Sequence, residues 1–141
     1  MSPTRFAAVL LSVVAAAWVV SNGPAGAEPE APNETLAPLF QQALPNVPGK
    51  TFTSAIVTFP PAARAVAHRH GDAFVYAYVL DGAVRSQLEG EPLRVYHQGE
   101  NWSEQPGAHH LVTENTSATA PATLLVVFVG DTAEQLKIDD P

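Results

Sequence analysis

The constraint that most narrows the fold is the spacing of chain breakers after Lys50. Pro60-Pro61, Asp81-Gly82, Gly90 with Pro92, Gly99 and Pro106-Gly107 divide the chain into short segments. Between them lie runs rich in Val, Ile, Thr, Phe and Tyr: 51–59, 63–70, 73–80, 83–89, 93–97, 101–104, 109–113 and 122–129. About eight short strands with a turn signal every eight to twelve residues is the pattern of a β-sandwich or barrel. Thirteen prolines in 141 residues reinforce this, because proline breaks helix interiors but suits turns. The length allows one domain.

Charge and cysteine content narrow the function. Fourteen acidic against seven basic residues leave a net charge of −7, which argues against a nucleic-acid or anionic-membrane partner, since both need clustered Lys and Arg. The absence of cysteine excludes a disulfide framework, a thiolate metal site and a cysteine nucleophile.

The first 27 residues combine one basic residue (Arg5), an apolar run from Phe6 to Val20, and the small-residue site Ala25-Gly26-Ala27. This three-part pattern predicts a cleaved secretory signal peptide, the apolar run being too short and too soon broken for a membrane span. Removing it takes Arg5 away and leaves 114 residues with six basic and fourteen acidic side chains, net −8. The product is expected to be secreted or periplasmic, with no membrane association after cleavage. Residues 28–49 read as a Pro- and Glu-rich leader followed by a short helix, since Leu36, Leu39, Phe40 and Leu44 recur at helical spacing after a Thr35 cap. The β-domain is expected over 50–130. Residues 131–141 form a tail, with one helical turn after Gly130.

The histidines carry the chemistry. His68 and His70 stand at i and i+2, so on a strand they share a face and both reach one ion. His109-His110 supplies a third imidazole from another strand, and only one of that adjacent pair can face inward. Imidazoles suit a divalent transition metal (Fe, Zn, Ni, Cu or Mn), and three of them leave positions open for water or substrate. Edge histidines at the surface are the bland alternative. His97 has no partner at ligand spacing and reads as a surface residue.

Two segments resemble the paired motifs of the cupin family. The first runs from Pro60-Pro61-Ala62 through His68-Arg69-His70 to Val79-Leu80-Asp81-Gly82; the second runs from Gly99 through Gln105-Pro106-Gly107-Ala108-His109-His110 to Asn115. The resemblance covers about residues 50 to 130 and implies an all-β jelly-roll barrel, which agrees with the strand count. It implies His68, His70 and His110 as metal ligands, with His109 facing outward. The chain departs from the pattern at Ala62, where the family has glycine, at Gln105, where it has proline, and at Asn115, one place late. The family's glutamate ligand falls on Val75. Glu104 and Gln105 remain as candidates for an additional ligand, and no catalytic residue is assigned.

Three neutral histidines would leave a divalent ion at charge +2, a strong Lewis acid for an anionic chelating ligand. The missing glutamate resembles the three-histidine dioxygenases of the family, so dioxygenase-like chemistry on a small oxygen-bearing metabolite is the first expectation. A non-catalytic module binding a small ligand or metal ion is the alternative, and a barrel whose histidines hold no metal is a third reading. Inward parity predicts a pocket lined by Val75, Ala77 and Val79. A hairpin at Asp81-Gly82, pairing Leu80 with Ala83 and Tyr78 with Arg85, would add Val84, Ser86 and Leu88. The outward row Phe74, Tyr76 and Tyr78 predicts a cover by the N-terminal helix or by a second copy in a homodimer. Asn33, Asn101 and Asn115 begin Asn-x-Ser/Thr sequences.

Overall fold

Strand alternation organises the chain from the middle outward. In the computed structural model, which describes residues 33–141, the strand β9 (Ala122–Asp131) buries Ala122, Leu124, Val126 and Phe128 on one face. Its other face carries Thr123, Leu125, Val127 and Val129, half-buried. A strand apolar on both faces belongs at the centre of a sheet. It pairs with β2 (Lys50–Phe59) over ten residues, from Lys50↔Asp131 to Phe59↔Ala122, and on its other edge with β4 (Phe74–Asp81). Adding β1 (Thr35–Ala43) and β7 (Asn101–Glu104) gives a first sheet in the order β1-β2-β9-β4-β7. The second sheet has the order β10-β3-β8-β5-β6, from β3 (His68–Arg69), β5 (Ala83–Leu88), β6 (Arg94–His97), β8 (His109–Asn115) and β10 (Ile138–Asp139). The pairs are antiparallel throughout, and the inner faces of the two sheets enclose one apolar core around Phe59, Val75, Val79, Val84 and Phe128. This is the all-β jelly-roll architecture expected from the sequence.

No helix occurs among the described residues. Thr35–Ala43, expected as a helix, is an exposed edge strand paired with β2 along its length. Its register slips between Pro38 and Phe40, so Leu36 faces inward and Phe40 faces outward against Phe52, ring centroids 6.1 Å apart. That slip spaces the apolar residues in a way that imitates a helix. An isolated ten-residue helix is marginal in water, whereas the open edge of β2 offers a full ladder of hydrogen bonds. Proline is tolerated on such an edge strand.

The Asp81-Gly82 turn is a corner between sheets and not a hairpin, so the expected pairing of Tyr78 with Arg85 does not form. β4 pairs with β9 and β7, while β5 pairs with β8 and β6. Gly82 has φ +76°, and a Cβ there would lie 3.0 Å from that of Ala122, so both conformation and space require glycine. Inward parity survives the corner: Val75, Ala77, Val79, Val84 and Ser86 are all buried. The tail after Gly130 is likewise no helical turn. It reverses at Ala133 and adds β10 to β3 through Ile138↔Arg69 and Asp139↔His68. The sheets therefore extend from Thr35 to Asp139, beyond the expected 50–130.

The expected signal peptide and all of the leader before Asn33 lie outside the described residues. Among the described residues no helix covers the outer face of the first sheet. That face presents Phe74, Tyr76 and Tyr78 beside Val129, Val127 and Leu125, with Phe52 and Ile56 beyond. Asn115 is buried and tied inward by Nδ2 donation to the carbonyls of Phe59 (3.1 Å), Pro60 (3.0 Å) and Ala120 (2.8 Å). Those bonds clamp the turns at one end of the barrel.

Candidate metal centre

His68 and His70 flank Arg69 across the short strand β3, and both imidazoles face the barrel interior, 5% and 8% exposed. Arg69 points outward, its Nη1 donating to the Gly107 carbonyl at 3.0 Å. β3 lies against β8 with His68 opposite His110. Strict alternation along β8 from Asn115 and Thr113, both buried, would turn His109 inward. A bulge prevents this: Gln87 pairs with Val112 and Leu88 with His110, so Leu111 is the extra residue. The bulge reverses the parity and buries His110, 2% exposed, leaving His109 on the outside with its Nε2 2.8 Å from Asp140 Oδ2. One ring nitrogen from each of His68, His70 and His110 falls within 4.8 Å of the others, so the three could hold a metal ion.

The hydrogen bonds fix how the imidazoles are presented. His68 Nδ1 lies 2.7 Å from the Val66 carbonyl, and His70 Nδ1 is bonded to the Leu136 carbonyl. A carbonyl only accepts, so each Nδ1 carries the proton and each Nε2 keeps its lone pair for the interior. Burial pushes the His68 pKa down to about 4 and lowers that of His70, so both rings are neutral at pH 7. His110 bonds through Nε2 to the hydroxyls of Ser86 (2.8 Å) and Thr113 (2.9 Å), and turns Nδ1 toward the cluster. Hydroxyls donate or accept, so they satisfy either tautomer of His110.

Glu104 completes the group. It is 3% exposed and sits on β7 directly opposite Val75, the position where the family carries its glutamate. His110 Nδ1 and Trp102 Nε1 lie 3.0 and 3.1 Å from its Oε1. Its Oε2 has no hydrogen-bond partner and is 3.5 Å from His70 Nε2. Burial pushes the Glu104 carboxyl upward, but the neighbouring His110, His70 and Trp102 outweigh it and hold it below the usual value. Gln105, the other candidate ligand, is exposed in a groove on the outer surface, because adjacent strand residues face opposite ways.

The four side chains stand in a cavity of about 110 Å³ whose walls are largely apolar, among them Phe59, Val75, Trp102, Leu124 and Phe128. Of the expected lining, Val75 faces this cavity. Ala77, Val79 and Val84 are packed in the core, and Ser86 is spent on His110. Leu88 lies instead in the outer groove beside Arg69 and His109, where the bulge slips the ladder at the end of β5. His97 is a surface residue, its Nδ1 3.2 Å from Glu100. Sequence reasoning missed Trp102, though it shares Glu104's face at i−2. It also missed Glu34 and Lys137, which line the cavity from opposite ends of the chain and have no local signal. Lys137 Nζ lies 3.0 Å from Glu34 Oε1 and also bonds Asp139. Burial alone would lower the Lys137 pKa, but these two carboxylates raise it.

A cupin domain model matches residues 55–128, just over half the chain. The chain belongs to the cupin family. Similar solved structures agree on the fold of this cupin. A double-stranded β-helix protein from Klebsiella pneumoniae is 12% identical, with a TM-score of 0.60 over 81% of this chain and 90% of that one. The DMSP lyase DddQ from Ruegeria pomeroyi DSS-3 is 24% identical, with a TM-score of 0.54 over 62% of this chain and 42% of the lyase. An oxalate oxidase is 25% identical, with a TM-score of 0.50 over 55% of this chain and 41% of the oxidase. The cupin thus spans about two-fifths of the length of those two enzymes. No curated protein matches the sequence.

Proposed function

We propose that this cupin holds one divalent transition metal on His68, His70 and His110, with Glu104 as the fourth donor, and acts on a small oxygen-bearing metabolite. The observation that carries the reading is the tautomer control. Two imidazoles commit their Nδ1 protons to main-chain carbonyls, while a buried carboxylate oxygen without a partner stands beside them. Metal-binding histidines characteristically donate their other N–H in this way. An anionic oxygen buried without a donor is costly unless a cation meets it.

A bound ion would supply Lewis acidity toward an oxygen ligand and, with a redox-active metal, a site for dioxygen chemistry. The chain supplies the rest. Ser86 and Thr113 hold the His110 ring, Trp102 holds one oxygen of Glu104, and the apolar wall excludes water from whatever lies against the imidazoles. The cavity, about 110 Å³, is smaller than the roughly 150 Å³ hole that accepts benzene, so the ligand is a molecule of few heavy atoms. We take dioxygenase-like chemistry, with molecular oxygen as co-substrate, as the reaction class.

Metal analysis of protein purified without chelator or added metal tests the site. The expected result is about one equivalent in the native chain and less than a tenth in His110→Ala; metal-free native protein would overturn the reading. Oxygen consumption with small diketones, thiols and hydroxy acids then tests catalysis. Ligand retention without turnover would favour the binding-module alternative. We further propose that the chain is exported, on the strength of the Arg5, Phe6–Val20 and Ala25–Ala27 pattern.

A further inference from the structure

Lys137 is the one cation lining the cavity among the described residues, and it faces a wall that is otherwise apolar apart from the metal-centre group, Thr113 and Glu34. It stands at the side of the barrel where the edge strands β1 and β10 of the two sheets approach each other, and its ion pair with Glu34 bridges that gap. The two partners are anchored very differently. Lys137 lies between Leu136, whose carbonyl holds His70 and whose side chain packs on the core, and Ile138–Asp139, paired with β3. Glu34 precedes the first ladder pair, Thr35↔Thr58, and its own backbone takes no part in a sheet. Lys137 is built into the sheet edge, whereas Glu34 stands just outside the first ladder pair and is held by its side chain, 13% exposed, against the ammonium.

We propose that Lys137 recognises a carboxylate on the cavity's ligand, and that Glu34 is a resident substitute that the ligand carboxylate displaces. A half-buried ammonium that has lost one of its two carboxylates is better served by another anion than by a neutral group, so an anion replaces Glu34 at least cost. Asp139, half exposed on the outer side of the ammonium, keeps it partly neutralised during the exchange. The cavity thereby disfavours neutral molecules of the same shape, for which parting the Glu34–Lys137 pair brings no ion pair in return. The ligand class is a small monocarboxylate with an apolar body. The proposal rests on the cavity being a ligand site, but does not require that its metal be bound.

Calorimetric titration of the chain with propionate, and with propionamide as the neutral isostere, tests it, with metal content assayed on the same samples. Glu34→Gln is expected to tighten propionate binding about tenfold and propionamide binding by less, since the amide no longer has an ion pair to part but gains none with Lys137. Lys137→Met is expected to abolish the preference for propionate over the amide. Equal affinity for the two probes in the native chain, or an unaltered propionate affinity in Glu34→Gln, would overturn the proposal. Preference for propionate in protein with no metal would support it while refuting the metal reading. Melting temperature checks that Lys137→Met is folded. Should it not be, Lys137→Arg, which keeps the charge, is expected to retain the preference, and its loss there would count against the proposal.

Discussion

Val75 and Glu104 are directly opposed partners on neighbouring antiparallel strands, and both side chains face the same cavity. The carboxylate that the family places on β4 is therefore supplied from β7, one strand over, at the same level of the barrel. Antiparallel partners have Cβ atoms about 5 Å apart, which the longer glutamate side chain spans. A divalent ion held there would meet one negative charge, and its net charge would be nearer +1 than the +2 expected for histidines alone.

If Glu104 is a metal donor, Glu104→Gln should weaken metal affinity ten- to a hundredfold, the range typical for disturbing groups around a metal site. Chelator competition measures it. Adding Val75→Glu to that variant should restore most of the loss, since the two positions address the same space. Failure of the double variant to bind better than Glu104→Gln would assign the carboxylate to holding His110 instead.

Stability should fall as acid is added to the metal-free protein. His68 is held neutral down to about pH 4 by burial, against an ordinary value of 6.5. The unfolded chain therefore binds the proton first, and the stabilisation is full above pH 6.5 and lost as pH falls toward 4. The total from this one group is on the order of 3 kcal/mol, with His70 acting in the same direction. Urea unfolding at pH 7.5, 6 and 5 should show the decline, and His68→Gln should flatten it. Metal should be released over the same range, because protons and metal compete for the same lone pairs.

Ala62 occupies the position where the family has glycine, and its φ is +59°. That left-handed conformation costs an L-residue about 1–2 kcal/mol, partly offset by the greater unfolded-state freedom of glycine. Ala62→Gly should therefore raise stability by about 0.5–1 kcal/mol, read as a higher melting temperature with metal content unchanged.

The outer rows of the first sheet, from Thr58 to Phe52 and across to Phe74, Tyr76 and Tyr78, carry no charged side chain among the paired residues. Five strands about 4.8 Å apart make this a continuous uncharged face. We propose that two copies pair through it. Sedimentation should show a dimer of the native chain and a monomer for Tyr76→Lys, with the metal retained; a monomeric native chain would refute the pairing.

The parts legible in the sequence are those that depend on local periodicity. Alternation placed His68 and His70 on one face of a strand, marked Val75, Ala77 and Val79 as inward, and with the turn residues specified an all-β barrel. Period-2 geometry acts between neighbours two residues apart and needs no knowledge of partners. Where partners matter, periodicity failed or stopped short, and only the resemblance to the cupin motif selected His110 over His109. The apolar stripe at Leu36–Leu44 reads as a helix until the open edge of β2 is available to it. His110 faces inward because Leu111 bulges out of the ladder with β5, a slip that only cross-strand pairing decides. Glu104 reaches the imidazoles because β7 lies beside β4, and Glu34 meets Lys137 because the last strand returns to β3. Each is a contact between segments far apart in the chain, determined by which edges and faces must be satisfied once the core has closed.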